Sequence, residues 1–76
     1  MTTDNRATAD GIVNEGLTHH RAGRFSDAEA AYRRAIALQP DHPSALHLLG
    51  VLAYQGGKPD AAINLIGKAI LLRPDV

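Results

Sequence analysis

The sequence contains no cysteine and no tryptophan among its 76 residues. The absence of cysteine excludes disulfide bonds, thiolate nucleophiles and the usual cysteine-containing zinc sites. Aromatic residues make up only 4% of the chain, and they are not interleaved with basic residues as in proteins that stack single-stranded nucleic acid. The core must therefore be built mainly from aliphatic side chains and alanine.

An excess of charge of one sign is also lacking, because eight basic residues balance eight acidic ones. Such a chain has no general electrostatic attraction to nucleic acid or anionic lipid. The most apolar stretch, LHLLGVLAY at residues 46–54, is too short to span a bilayer, and polar residues 1–10 do not resemble a signal peptide. We therefore expect a cytoplasmic protein that binds neither nucleic acid nor membrane.

The chain instead contains one sequence pattern twice, 34 residues apart: AIALQPD at residues 35–41 returns as AILLRPD at residues 69–75. Small residues occupy matching positions in the two copies: Gly16 and Gly50, Gly23 and Gly57, Ala28 and Ala62. Apolar residues recur at helical spacing, and the alternation typical of strands is missing. The sequence therefore predicts an all-α fold of two helical hairpins, which stack because neither covers its own apolar face.

Glycine and capping residues predict the ends of the first two helices. The first helix is expected from about Ala9 to Ala22, where Gly23 provides a left-handed stop. The second helix is expected to begin with a capping box, in which the Ser26 side chain and the Glu29 side chain satisfy each other's backbone amides. These signals place a tight turn between the two helices.

Prolines predict the ends of the remaining helices. Pro40 follows the second helix, and Pro43 suits the first turn of the third. Gly56-Gly57 ends the third helix, Asp60 is expected to cap the fourth, and Pro74 ends it. The positions predicted to face inward on the second and third helices are Ala28, Tyr32, Ala35, Leu38, Leu46, Leu49, Gly50 and Ala53.

These residues resemble the tetratricopeptide repeat family. The matching positions of the second unit are Leu46-x-x-Leu49-Gly50, Ala62-x-x-x-Ile66, Ala69 and Pro74. Those of the first unit are Ile12-x-x-Glu15-Gly16, Ala28-x-x-x-Tyr32, Ala35 and Pro40. The resemblance implies a short right-handed α-solenoid with repeats at residues 9–42 and 43–76, preceded by a flexible segment at residues 1–8.

The resemblance also implies a binding surface, because the first helix of each hairpin lines the concave side of the superhelix in this family. The side chains expected there mix a polar rim with an apolar floor, which suits an extended peptide or a helix. The predicted groove residues are Asn14, Leu17, His20, Arg21, His47, Leu48, Val51, Tyr54 and Gln55, with Asp10, Val13 and Ser44 also available. The sequence predicts a protein or peptide partner but does not identify it.

A second surface is expected on the last helix. Its face toward the third helix is predicted to contain Ala62, Leu65, Ala69 and Leu72. Ile63, Ile66 and Ile70 then form another apolar stripe, and Gly67 permits close approach to it. We expect this stripe to mediate self-association into a dimer or a longer stack, or to be covered by further repeats of a longer chain.

Signals for catalysis or cofactor binding are weak. The Gly57-Lys58 pair lacks the other residues of a phosphate-binding loop, with Leu52 and Pro59 at the positions that would need glycine and a hydroxyl. The four histidines, which lack a carboxylate or thiol at ligand spacing, do not predict a metal site. They are His19, His20, His42 and His47. We therefore predict no catalytic residue, cofactor or required metal.

The leading interpretation is a non-catalytic scaffold for protein–protein interaction. The alternative from another functional class is the N-terminal repeat region of a longer bacterial enzyme, such as a glycosyltransferase or a sulfotransferase.

Overall fold

The computed structural model describes residues 5–72 and shows four helices in this range. Their bounds are Asn5–Arg21 (α1), Phe25–Leu38 (α2), Pro43–Gln55 (α3) and Pro59–Leu72 (α4). No strand occurs among the described residues. Helix α1 packs against α2, α3 packs against α4, and α2 joins the two hairpins by packing against α3. The all-α prediction of two stacked hairpins is confirmed.

The end of the first helix in each hairpin follows the glycine prediction. Gly23 has φ 79° and Gly57 has φ 78°, and only glycine adopts this left-handed conformation without strain. At the other end, α1 begins at Asn5 rather than at Ala9, so residues 5–8 are helical although we predicted them to be flexible. Residues 1–4, and the predicted stop at Pro74, lie outside the described residues.

The predicted capping box at Ser26 is wrong. Helix α2 begins at Phe25, and its N-cap residue, Arg24, makes no side-chain capping hydrogen bond. Ser26 therefore lies within the first turn, where its side chain is not at the N-cap position. The Glu29 carboxylate points forward along the helix and accepts a hydrogen bond from Arg33 Nε at 2.9 Å.

The last two helices both begin with proline. Pro43 occupies the first turn of α3, as predicted, because its missing N–H and fixed φ suit that position. Helix α4 begins at Pro59, so Asp60 lies within the first turn and is not the cap that we predicted. Its carboxylate still complements the positive end of the helix dipole there.

The core consists mainly of alanine and leucine, with Tyr32 as its largest fully buried side chain. The other buried apolar residues are Ala9, Val13, Ala28, Ala31, Ala35, Ala45, Leu46, Leu49, Leu52, Ala62 and Ala69. Two predicted inward positions are wrong, because Leu38 is 41% and Leu72 is 43% exposed. Each is the last residue of its helix, where the neighbouring helix gives less cover.

Two glycines allow the helices of each hairpin to approach closely. A Cβ atom on Gly16 would lie 2.5 Å from Tyr32 Cε1, and one on Gly50 would lie 2.6 Å from Ile66 Cγ1. Real Cβ atoms do not come this close to other carbon atoms, since such distances are well inside van der Waals contact. Packing therefore favours glycine at both positions, more strongly at Gly16, where the neighbouring Tyr32 ring is fully buried.

Candidate protein-binding surface

A hydrogen-bonded pair links the two hairpins at the start of α3. The side chain of His42 is buried, and its Nε2 lies 2.5 Å from Asp10 Oδ1 on α1. Its Nδ1 accepts a hydrogen bond from the Ala45 backbone N–H at 3.2 Å and so caps α3. Because Nδ1 is an acceptor, the ring proton must be on Nε2, which donates to Asp10. This geometry fits a neutral imidazole that joins α1 to the first turn of α3.

A second polar link joins the hairpins at the other end of α1. His20 Nε2 donates to Gln55 Oε1 on α3 at 2.7 Å, because a carbonyl oxygen can only accept. In the neutral ring, His20 Nδ1 is the acceptor and the Tyr32 hydroxyl donates to it at 3.2 Å. Burial raises the pKa of the Tyr32 phenol, and the positive charge of Arg21 partly opposes this shift. The phenol is therefore held neutral, in the form that can donate to His20.

An open groove of about 750 Å³ involves α1 and the start of α3. The residues that line it are Asp10, Val13, Asn14, Leu17, Gln39, His42, Pro43, Ser44 and Leu48. Val13 is buried, and Leu17 and Leu48 are half-buried, so these three side chains form an apolar floor. Exposed polar side chains form the rim, including Asn14 and Ser44. The structure thus brings Asn14, Leu17 and Leu48 of the predicted groove together.

Three other predicted groove residues do not line this groove. His20 and Gln55 are hydrogen-bonded to each other, so they link α1 to α3 across the helix ends. Arg21 is exposed at the last residue of α1, on the side where its charge acts on Tyr32. The bond between His20 and Gln55 thus links the two hairpins at the edge of the surface, and Arg21 lies beside it.

The remaining predicted groove residues lie on other parts of α3. His47 lines a neighbouring depression, which shares Leu48 with the groove and extends to Ile70 on α4. Val51 is half-buried and lies outside the groove lining. Tyr54 is 70% exposed and belongs to a third depression, between α3 and α4. Helix α3 therefore contributes to the groove and to both of these depressions.

That third depression, which we call the α4 depression, has a volume of about 410 Å³ and an almost wholly apolar lining. Its lining residues are Tyr54, Pro59, Ala62, Ile63, Ile66, Gly67 and Ile70. All four residues predicted for self-association are among them. Ile63 is 68% and Ile70 is 57% exposed, whereas Ile66 is half-buried against Gly50. Ile66 therefore belongs both to the packing within the hairpin and to the open surface.

The sequence did not single out His42 or Gln39 as part of the site. His42 could have been recognised as a cap, because it directly precedes a proline at the start of a helix. The position of Gln39 has no comparable signal. It depends on how the connection between α2 and α3 folds back over α1.

Two further kinds of site, a metal cluster and a membrane span, are absent from the described residues. Within residues 5–72, no three histidine or acidic side chains are grouped so that they could hold a metal ion. None of the four helices in this range combines the length and the apolar character that a bilayer-spanning helix needs.

Comparison with known proteins identifies relatives of this chain. It is 50% identical over 44 residues to cellulose synthase operon protein C of Pseudomonas fluorescens, a match that covers 57% of this chain and 3% of that protein. It is 34% identical over 59 residues to protein FlbA of Caulobacter vibrioides, which covers 78% of this chain and 10% of that protein. The chain thus spans a small part of the length of either relative.

The sequence model of the tetratricopeptide repeat matches residues 13–75, which include the second half of α1 and all of the other three helices. The two hairpins, the helix-closing glycines and the matching small residues of the structure agree with that match. The chain therefore belongs to the tetratricopeptide repeat family, whose repeats generally mediate protein–protein interaction and are typically non-catalytic.

Proposed function

We propose that this chain is a non-catalytic protein-interaction module that binds an extended peptide or a helix in the groove between α1 and α3. The observation that carries this proposal is the groove itself, with an apolar floor at Val13, Leu17 and Leu48 under a polar rim. An apolar floor supplies contact area, and rim groups such as those of Asn14 and Ser44 supply directional hydrogen bonds.

The two polar links favour a groove that exists before the partner arrives. Asp10 and His42 hold α1 against the start of α3, and His20 and Gln55 hold the opposite end of α1. The positions of α1 and α3 are thereby fixed at both ends. A preformed groove loses less conformational entropy on binding, so more of the contact energy appears as affinity.

The groove is tested by selecting random peptides displayed on phage against the immobilised chain. Selected peptides are then titrated into the isotopically labelled protein, and backbone amide shifts are followed by NMR. We expect the largest shifts at Leu17 and Leu48. Asn14→Phe should fill the groove and lower the affinity by about tenfold or more, whereas Asn64→Phe on the exposed surface of α4 should not. Peptides that shift only residues outside the groove would contradict the proposal.

The same proposal includes self-association through the α4 depression. Ile63 and Ile70 leave most of their surface in water, and each fully buried aliphatic side chain contributes about 1.5–3 kcal/mol. A second copy of the chain is a partner that carries the same apolar surface and is present wherever the chain itself is. Burying both side chains at such a contact would offset part of the cost of association.

Self-association is tested by sedimentation velocity over a range of concentrations. We expect the wild-type chain to be dimeric or larger and Ile63→Glu and Ile70→Glu to be monomeric. Leu71→Glu is the matched control, because Leu71 is 82% exposed on the same helix but does not line the α4 depression. Ile66 is unsuitable for this test, since its substitution would also disturb the contact with Gly50. A wild-type chain that stays monomeric at every concentration would refute this part.

A second candidate function is the interaction region of a larger bacterial protein, including the glycosyltransferases and sulfotransferases that carry such repeats. It is favoured by the relatives, because the matched segments form only 3% and 10% of their lengths. The test is the mass of the native protein, measured by immunoblot of source cells with an antibody against this chain. A single band near 8.1 kDa would refute this candidate.

A further inference from the structure

The charge of the groove between α1 and α3 limits the kind of partner that it accepts. Among the described residues that line it, only Asp10 carries a formal charge, since the hydrogen bonds of His42 fit a neutral ring. The Asp10 side chain is 60% exposed, so it remains accessible to a ligand while one of its oxygens accepts from His42. The groove is therefore locally negative.

The same groove contains a buried acceptor that lacks a donor. Gln39 Oε1 is buried and has no hydrogen-bond partner among the described residues. A buried acceptor without a partner is costly, so a ligand that brings a donor to it gains free energy. Gln39 and Asp10 both line the groove, and Asp10 is directly accessible as an acceptor. Gln39 as a whole is only half-buried, so a turn of its side chain toward the groove is what brings Oε1 to a donor on the bound molecule.

A basic side chain matches this arrangement better than other groups. Lysine and arginine carry several N–H donors and no acceptor, so one side chain can serve the carboxylate of Asp10 and the orphan oxygen of Gln39 together. The aliphatic stem of such a side chain can lie along apolar surface such as that of Leu17 and Leu48. A carboxylate in the same place would be repelled by Asp10 and would leave Gln39 unsatisfied.

We propose that the groove binds a protein segment through a lysine or arginine side chain, whose cationic group lies between Asp10 and Gln39. This inference rests on the proposed function of the groove and specifies the chemistry of its partner. It predicts that the bound segment is basic at one position and apolar at its neighbours, which contact the groove floor.

The test begins with the phage-displayed random peptides selected on the wild-type chain and on Asp10→Asn. The asparagine oxygen can still accept from His42 Nε2, so the variant removes the charge but keeps the link between the hairpins. We expect arginine or lysine to be enriched at one position on the wild-type chain and not on Asp10→Asn. Asp41→Asn is the matched control, because Asp41 is exposed and does not line the groove.

Titration of one selected peptide then measures the interaction directly. Replacing its arginine with citrulline keeps the shape and removes the charge. We expect this change to weaken binding to the wild-type chain by about fivefold, the effect of a partly exposed charge-assisted hydrogen bond, and to change binding to Asp10→Asn much less. The difference between the two proteins isolates the contact between the basic group and Asp10.

Gln39→Met provides an independent measurement. The substitution removes the orphan acceptor at nearly constant volume, so we expect the melting temperature to stay the same or rise while the affinity for the arginine peptide falls about threefold. A purely structural role for Gln39 would lower the melting temperature and leave the affinity of the folded protein unchanged. That result would overturn the role assigned to Gln39.

The outcomes also separate this inference from the proposed function beneath it. Peptides that bind in the groove, lose affinity in Asn14→Phe and show no preference for basic residues would overturn the inference and leave groove binding intact. Failure to select any peptide that shifts groove resonances would overturn both. Selection of acidic peptides would overturn the charge argument alone.

Discussion

The two repeats share one sequence pattern but differ in what covers them. In the first repeat, Tyr32 is fully buried and Val13 is 5% exposed, because α3 lies over the first hairpin. The corresponding positions 34 residues later are Ile66, which is half-buried, and His47, which is exposed. Equivalent positions thus have different environments because the first hairpin is followed by another hairpin, whereas none follows the second among the described residues.

The residues themselves differ where cover is absent. Helix α2 carries Glu29 and Arg33, which form a solvent-accessible ion pair at 2.9 Å beside a pocket shared with α3 and α4. The equivalent positions on α4 are Ile63, which is 68% exposed, and Gly67. At these two positions, the first repeat therefore has charged side chains, whereas the second has an apolar side chain and a glycine. This difference supports the proposed contact at the α4 depression.

The largest expected effect concerns the buried tyrosine. Tyr32→Ala removes a fully buried aromatic ring and should cost about 4 kcal/mol. The whole stability expected for a chain of this length is only about 4–11 kcal/mol. Ile66→Ala should cost about half as much, because its side chain is already partly in water. Urea denaturation followed by circular dichroism measures both values, and equal losses would contradict the asymmetry.

A smaller effect is expected at the two packing glycines. Gly16→Ala places a methyl group against the ring of Tyr32, which is enclosed on all sides, and should cost about 2 kcal/mol. Gly50→Ala meets Ile66, whose side chain borders the open α4 depression and can turn away. We expect its cost to be below about 1 kcal/mol, since alanine also favours the helix by about that amount. The same denaturation experiment compares them, and a larger loss in Gly50→Ala would refute this explanation.

Introducing the ion pair of α2 at the equivalent positions of α4 should remove self-association. Ile63→Glu with Gly67→Arg recreates the pair formed by Glu29 and Arg33 four residues apart. We expect the double variant to be monomeric and to gain about 1 kcal/mol of monomer stability, because nothing within 4 Å obstructs a side chain at Gly67. Sedimentation and urea denaturation at low protein concentration measure the two effects.

The matched control is Gly67→Arg alone, which should gain similar helix stability. A double variant that self-associates as strongly as the wild-type chain would contradict the role of the α4 depression.

Much of this fold could be predicted from local signals. Gly23 and Gly57 end helices because their left-handed conformation depends on the residue itself, and Pro43 begins one for the same kind of reason. The close contacts at Gly16 and Gly50 followed from their matching positions in the two copies. Such features depend on a few residues of nearby sequence, so the repeated pattern was sufficient to predict the helix ends and the close contacts between helices.

The predictions of the helix caps and of the groove residues failed for two reasons. Some side-chain contacts depend on residues far away in the sequence, and a cap is lost when a helix begins one or two residues from the predicted position. Helix α2 begins at Phe25, and this small shift removes Ser26 from the capping position. The predicted groove residues His20 and Gln55 bond to each other across 35 positions of sequence, which no periodic pattern reveals. The orphan oxygen of Gln39 likewise depends on the fold around it. The predicted repeat and domain boundaries, and the identity of the partner, remain predictions.

The smallest expected effect is a pH dependence that only the first repeat can show, since Ile66 replaces Tyr32 in the second. Burial raises the pKa of the Tyr32 phenol in the folded chain, and Arg21 opposes the shift. The resulting contribution to stability is fully present below the unfolded pKa of about 10 and is lost as the pH rises through the higher folded value.

Urea denaturation between about pH 9 and about pH 11 should therefore show a steeper loss of stability in the wild-type chain than in Tyr32→Phe. The phenylalanine variant also lacks the hydrogen bond to His20, but this loss applies below the transition as well and does not create the slope. Tyr54→Phe, at a 70% exposed position, controls for the removal of a surface phenol and should follow the wild-type curve. If the free energy of unfolding had the same pH dependence in the wild-type chain and in Tyr32→Phe, the Tyr32 phenol would be in contact with water in the folded state. Contact with water leaves the pKa of a phenol unshifted, and the proposed burial of Tyr32 would then be wrong.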